Sequence, residues 1–322
     1  MITKLIYSLF ISQALLVGPV LAQGAYPDKP ITLMQGFGTG GNSDTIARII
    51  APGLAKELGQ QIIVEAKTGA GGNIASAAVA KSAPDGYTLI LLTGGHAVSA
   101  AVYSKLTFNP VDDFEWISLV TQFPFAVSVS AESKFKTLAD VIAAAKAAPD
   151  TISYTSVGIG STQHLSGELF ASMAGVRMTH VPYKGGAGPL QDILGGRVDV
   201  MFDSITVTKA QMEAGKLRAL GVTSLKPYKL LPGVPPVADT IPGYEVTSWT
   251  GLAAPKGTSP EIQKRLHTAL LKVLADPEVI SKLENTGGLV TPSSSGAQMK
   301  QYVSGQIAKW RKVLVSANIP QQ

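Results

Sequence analysis

The stretch Gly36-Phe37-Gly38-Thr39-Gly40-Gly41-Asn42-Ser43-Asp44 decides the reading of this chain. A short apolar run precedes it (Ile31, Leu33, Met34). A helical pattern follows it (Ile46, Ile49, Ile50, Leu54, Leu58). Together they spell a strand, a glycine turn and a helix start. Small residues let a ligand approach the backbone. The first N–H groups of a helix have no partner in the chain, and the helix dipole makes that end attractive to an anion. Ser43 or Asn42 is the expected N-cap. The turn is therefore expected to receive a negatively charged group, most simply a carboxylate.

Gly36, Gly38 and Gly41 also satisfy G-x-G-x-x-G, and Glu65 closes a later apolar run. That is the outline of a dinucleotide fingerprint. It keeps a second reading open, a nucleotide-dependent oxidoreductase using NAD(P).

The rest of the chain repeats the device. Ile62–Glu65 ends in Lys67-Thr68-Gly69-Ala70-Gly71-Gly72-Asn73, and Tyr87–Leu92 ends in Thr93-Gly94-Gly95-His96. Ile152–Thr155 ends in Ser156-Val157-Gly158-Ile159-Gly160-Ser161. Met178–Val181 leads to Pro182-Tyr183-Lys184-Gly185-Gly186, and Val198–Phe202 leads to Asp203-Ser204. Strands that end in Gly, Ser and Thr and hand over to helices predict an α/β fold with largely parallel sheets. In such sheets ligands bind at the carboxyl ends of the strands. Pro52 inside the first helix is expected to kink or split it. Ser259-Pro260-Glu261 marks a helix start.

Two sets of these units predict two lobes. The first is residues 26–125 with 249–322, the second residues 126–248. The chain crosses twice between them and the C-terminal helices return to the first lobe. A ligand is expected between the lobes.

The 322 residues suffice for about two domains. Charged residues make up 15%, with a formal net charge of +5 and no basic run, which argues against nucleic-acid binding. With no cysteine, the chain has no disulfide, thiolate metal site or cysteine nucleophile. The four histidines lack metal-ligand spacing, and no cofactor is expected. At the N-terminus, Lys4 precedes an apolar stretch from Leu5 to Leu21. This reads as a secretory signal peptide over residues 1–25, cleaved near Ala22 or Ala25.

The residues match a family. The chain resembles the Bug-type (TctC-like) periplasmic solute-binding receptors of tripartite tricarboxylate transporters. The match rests on Tyr26-Pro27 with Lys29-Pro30-Ile31, Phe37 with Gly40-Gly41 and Asp44, and Gly69-Ala70-Gly71-Gly72. It continues through Pro84-Asp85-Gly86-Tyr87, Gly160-Ser161 with His164-Leu165, Val181-Pro182-Tyr183-Lys184-Gly185, and Trp249 with Gly251-Leu252. It spans essentially the whole mature chain. Gly38-Thr39 and Ala66-Lys67-Thr68 depart from the family's usual residues on two of the turns.

The resemblance implies a two-lobed periplasmic-binding-protein fold (type II-like), each lobe a mainly parallel sheet flanked by helices. It implies a monomeric periplasmic receptor, not an enzyme, that holds a small carboxylate largely through backbone N–H groups. The ligand is a di- or tricarboxylate, an aromatic acid or an acidic amino acid, delivered to inner-membrane transporter subunits. The candidate ligand-binding residues are Phe37, Thr39, Gly40, Gly41, Thr68, Gly94, His96, Ser156, Gly160, Ser161, Tyr183, Lys184 and Asp203. By the same resemblance, Asp203 receives the ammonium group of an amino-acid ligand. Ser161 with His164, one helical turn on, outlines a third reading, a secreted hydrolase, although no G-x-S-x-G elbow surrounds the serine.

Overall fold

The structure is a computed structural model and describes residues 26–322. The expected signal peptide lies outside the described residues. The order is β1 (Ile31–Gln35), α1 (Asn42–Leu58), β2 (Ile62–Ala66), α2 (Asn73–Ala80), β3 (Thr88–Thr93) and α3 (Gly94–Val102). Next come β4 (Phe114–Ser130), α4 (Leu138–Ala147), β5 (Ser153–Ser156), α5 (Thr162–Ala174), β6 (Thr179–Pro182) and α6 (Gly188–Leu194). The chain continues with β7 (Val200–Ser204), α7 (Ile205–Glu213), β8 (Leu217–Val222) and β9 (Thr247–Pro255). It closes with α8 (Pro260–Ala275), α9 (Pro277–Asn285), β10 (Leu289–Val290) and α10 (Gly296–Ser316).

The strands form two sheets that share β4. In the first, the order is β2-β1-β3-β9-β4, with β10 on the far side of β4. Here β1, β2, β3 and β4 run one way, while β9 and β10 oppose them. In the second, β8 and β7 flank β4, and β5 and β6 follow β7. There β5, β6, β7 and β8 run together and β4 alone opposes. Each sheet is thus mixed rather than mainly parallel: β1 with β2 and β3, and β5 with β6 and β7, pair in parallel, while every pair that involves the crossing strands β4 and β9 or the short β10 is antiparallel.

The hand-over on β4 is sharp. Its pairing with β9 ends at Pro124↔Thr247, and its pairing with β7 begins at Phe125↔Ser204. Pro124 has no N–H to offer a ladder. Thr223 ties the second crossing beside it. Its Oγ1 donates to Val246 O at 2.6 Å and accepts from Phe125 N at 2.8 Å.

Helical stripes bury against these sheets at the spacing an amphipathic helix requires. Ile46, Ile50 and Leu54 on α1 meet Leu266, Leu270 and Val273 on α8 in one cluster. Met299, Val303, Ile307, Trp310 and Leu314 of α10 join a larger cluster with α3 and β4. Pro52 does not split the helix, since α1 runs from Asn42 to Leu58 with the proline inside it. Among the described residues no helix is long and apolar enough to cross a membrane.

Candidate functional site

The site begins where β1 ends. Gln35 is fully buried, and its Oε1 accepts from Phe37 N and from Ser43 Oγ, both at 2.8 Å. Ser43 is therefore engaged elsewhere, and Asn42 lies inside the helix. The residue that caps α1 is Gly41, without a side-chain bond, and the expectation of a Ser43 or Asn42 cap is corrected. Asp44 turns back to accept from Gly40 N at 3.1 Å and from Arg48 Nε at 3.0 Å. Its charge is answered locally. The N–H groups of Asn42 and Ser43 find no acceptor among the described residues.

The second lobe offers the same device. Ser161 caps α5, its Oγ accepting from His164 N at 3.2 Å. The N–H groups of Thr162 and Gln163 are again without an acceptor among the described residues. The hydroxyl of Thr162 is buried and has no partner. A buried polar group left unpaired costs free energy, and a donor or acceptor arriving in the cavity that Thr162 lines would satisfy it.

These two first turns line one cavity of about 440 Å³, part of it open to solvent. Asn42 and Ser43 line it from one lobe, Thr162 and Gln163 from the other. Phe37, Phe123, Phe125, Val157 and Val207 supply apolar wall, and Thr93, Asp203 and Ser248 supply polar groups. Asp203 is only 4% exposed. Its Oδ1 accepts from Ser204 N at 2.7 Å and Gln163 Nε2 at 3.3 Å. Burial nevertheless raises its pKa to about 6. No lysine, arginine or histidine lines the cavity among the described residues.

The lobes meet beside this space. Gly38 pairs with Gly185 as an isolated parallel bridge. Ser99 Oγ donates to Gly160 O at 3.1 Å, and Tyr103 OH to Ile159 O at 3.2 Å. Asn42 Nδ2 donates to Thr206 Oγ1 at 2.7 Å.

Of the residues singled out in the sequence, Phe37, Gly41 and Asp203 line the cavity. Gly94 stands behind it, where a Cβ would fall 2.5 Å from Ser248 Oγ and 3.2 Å from Thr162 Oγ1. The others lie off its lining. Thr39 and Lys184 are exposed, and Gly40 has given its N–H to Asp44. Thr68 is half-buried on the loop after β2.

Ser156 Oγ accepts from Gly158 N at 3.0 Å and bonds His180 Nε2 at 2.7 Å. Gly160, at φ +77°, offers its carbonyl to Ser99. Ser161 is spent on its cap, and the Tyr183 hydroxyl goes to Asp192.

His96 is packed among Phe108, Phe114 and Trp116, next to a smaller space. Its Nε2 lies 2.7 Å from the Pro110 carbonyl, which can only accept. The proton is therefore on Nε2. Burial lowers the pKa to about 4 and keeps the ring neutral.

His164 does not serve Ser161 as a base. Its Nδ1 accepts from Gly160 N at 3.4 Å and its Nε2 lies 3.8 Å from Glu168. Sequence reading missed Thr162, Gln163, Phe123, Phe125 and Ser248. The two residues after the Ser161 cap carried a usable signal, because first-turn N–H groups are the ones left free.

Comparison with known proteins places this geometry. Residues 46–319 match the family described as TctC, Tripartite tricarboxylate transporter family receptor. The periplasmic binding protein BugD is 32% identical with a TM-score of 0.88, covering 92% of this chain and 100% of its own. Rpa4515 of R. palustris, solved with adipate, is 37% identical with a TM-score of 0.88 over 92% of this chain and 100% of its own. MatC (Rpa3494) from Rhodopseudomonas palustris, with bound malate, is 32% identical with a TM-score of 0.86 over 90% of this chain and 100% of its own. The two-lobed fold, the paired helix starts at the cavity and these matches lead to one conclusion: the chain belongs to the tripartite tricarboxylate transporter family receptors, the Bug-type, TctC-like solute-binding proteins.

Proposed function

We propose that this receptor captures a small dicarboxylate between its lobes, in the periplasm, and delivers it to a tripartite tricarboxylate-type transporter. The observation that carries the reading is the convergence of two helix starts with free first-turn N–H groups, α1 and α5, from opposite lobes on one cavity with an unpaired buried hydroxyl. Helix N-termini bind anions through free N–H groups and the dipole. Two of them facing each other suit a ligand with a carboxylate at each end. In this reading the N–H groups of Asn42 and Ser43 hold one carboxylate. Those of Thr162 and Gln163, with the Thr162 hydroxyl, hold the other. Phe37, Phe123 and Phe125 flank the carbon chain between. The lobes that close are residues 26–125 with 249–322, and 126–248.

Adipate and malate, bound by the two R. palustris relatives, set the class to test. Oxidoreductase chemistry on the Gly36–Gly41 turn is the competing reading. Against it, Gly38 is covered by Gly185 rather than open to a pyrophosphate.

The test is thermal unfolding of residues 26–322, refolded to strip bound ligand. The panel holds C4 to C6 dicarboxylates, citrate, benzoate, acidic amino acids and NAD. A ligand at a hundred times its dissociation constant adds roughly 2.7 kcal/mol, a shift on the order of 5 °C. Shifts with dicarboxylates and none with their diamides support the proposal. A shift with NAD alone overturns it.

A further inference from the structure

Asp203 is the one ionisable side chain that lines the cavity among the described residues. Its two oxygens differ. Oδ1 takes three donors, Ser204 N, Ser204 Oγ at 3.4 Å and Gln163 Nε2. No hydrogen bond among the described residues reaches Oδ2, although the side chain is nearly buried.

No neighbouring element brings a counter-charge to it. On β5 the titratable group is Tyr154, whose hydroxyl goes to Glu168. On α5 they are Glu168 and His164, the latter held neutral by burial, which lowers its pKa to about 4. On α7 they are Lys209 and Glu213, which pair with each other at 3.9 Å, and on α6 it is Asp192, which is tied to Tyr183 and Arg197. On α1, Asp44 is turned to Gly40 and Arg48. The β4 residues opposite, Phe125 and Ala126, carry none, and Lys184 on the facing turn is exposed.

A dicarboxylate entering this cavity brings a second like charge beside Asp203. Two carboxylates in one desolvated site do not both ionise, and one of them takes a proton. We propose that the receptor takes up its dicarboxylate together with one proton, held on Asp203 Oδ2, which makes Asp203 a specificity residue that counts charge. The inference rests on the dicarboxylate reading above. The geometry selects the oxygen. Oδ1 goes on accepting from Ser204 and Gln163, while Oδ2–H donates to the ligand. A pKa already raised to about 6 before any ligand arrives takes Asp203 part of the way, and the second carboxylate of the bound ligand raises it the rest, above 8.

The consequence is proton-linked affinity. Between pH 6 and 8 the ligand stays a dianion and His164 stays neutral, so Asp203 dominates the linkage. With its pKa at about 6, the dissociation constant for adipate weakens by about 50-fold from pH 6 to pH 8, approaching tenfold per pH unit.

The experiment is calorimetric titration with adipate and with malate at pH 6, 7 and 8, each in two buffers of different ionisation enthalpy. The expected result is weakening with pH and uptake of nearly one proton per ligand at pH 8. Asp203→Asn supplies a hydrogen-bond donor that does not titrate. It should bind with no pH dependence and hold adipate at pH 8 as tightly as the unsubstituted protein does at pH 6. Should Asp203→Asn not fold, the proton count on the unsubstituted protein decides alone. A flat profile with no proton uptake overturns the proposal and leaves the receptor reading intact. So does tighter binding at pH 8, the mark of a ligand hydroxyl or ammonium facing an ionised Asp203. Failure of both ligands to bind at every pH overturns the receptor reading and this inference with it.

Discussion

Gly38→Ala separates closure from folding. Gly38 sits where the lobes touch, and a Cβ there would lie 2.9 Å from Gly186 N and 3.0 Å from both Gly185 C and Gly186 Cα. All three are backbone atoms of the other lobe and cannot rotate away. Ordinary contact begins near 3.4 Å, so the lobes must part by roughly half an ångström or store the overlap. Overpacking of this kind costs about 1–3 kcal/mol, which corresponds to roughly 5- to 150-fold in affinity. The Gly38 φ does not fall in the left-handed region, so alanine strains neither lobe on its own. The assay is adipate calorimetry beside thermal unfolding with and without ligand. The expected outcome is weaker binding with the ligand-free midpoint nearly unchanged. Affinity within twofold of the unsubstituted protein would refute the reasoning. So would a ligand-free midpoint that falls by several degrees, because the contact would then belong to the fold.

Thr162→Val removes a hydroxyl that is buried without a partner. It should leave the ligand-free protein as stable or slightly more stable, and cost about 0.5–1.5 kcal/mol of dicarboxylate binding, read by unfolding and calorimetry. Stability should fall as pH drops from 6.5 toward 4. His96, His164 and His180 have folded pKa values lowered to about 4, mainly by burial, so the unfolded chain binds more protons in that window. Asp203, with its folded pKa raised to about 6, opposes this in part by favouring the folded state as pH falls below 6. His164→Gln should flatten the fall of the midpoint measured between pH 6.5 and 4.5. Gly305 lies inside α10 with nothing within 4 Å of an added Cβ. Gly305→Ala should stabilise by about 1 kcal/mol, read as a higher midpoint with unchanged adipate affinity.

How much the sequence discloses depends on whether a feature is local. The strand-turn-helix at Gly36–Asp44 was legible because hydrophobic periodicity and glycine clustering are properties of neighbours. The Ser161 cap is local in the same sense, a serine before a helical pattern. The α1 cap was not legible, because Ser43 is drawn to Gln35 Oε1, eight residues back, once both are buried. Pro52 reads as a kink or a split, and the split does not occur: α1 keeps its length around it, packed along α8 through Ile46, Ile50 and Leu54. The cavity wall was the least legible part. Phe123 and Phe125 sit where β4 leaves one sheet for the other, and Ser248 sits where β9 returns. Only the pairing of distant strands brings them to Thr162. His96 follows a strand-end glycine turn as a cleft residue would, but the aromatic set of Phe108, Phe114 and Trp116 draws its ring inward. Tyr183 likewise finds a partner in its own lobe, Asp192.

The central claim is that one ligand joins the free helix starts of both lobes. It is tested most directly by following the backbone amide resonances of Asn42, Ser43, Thr162 and Gln163 while residues 26–322 are titrated with adipate. The account requires all four amides to move together, among the largest changes in the spectrum, and to saturate at one dissociation constant. Changes confined to one lobe, or clustered away from these four amides, would contradict it.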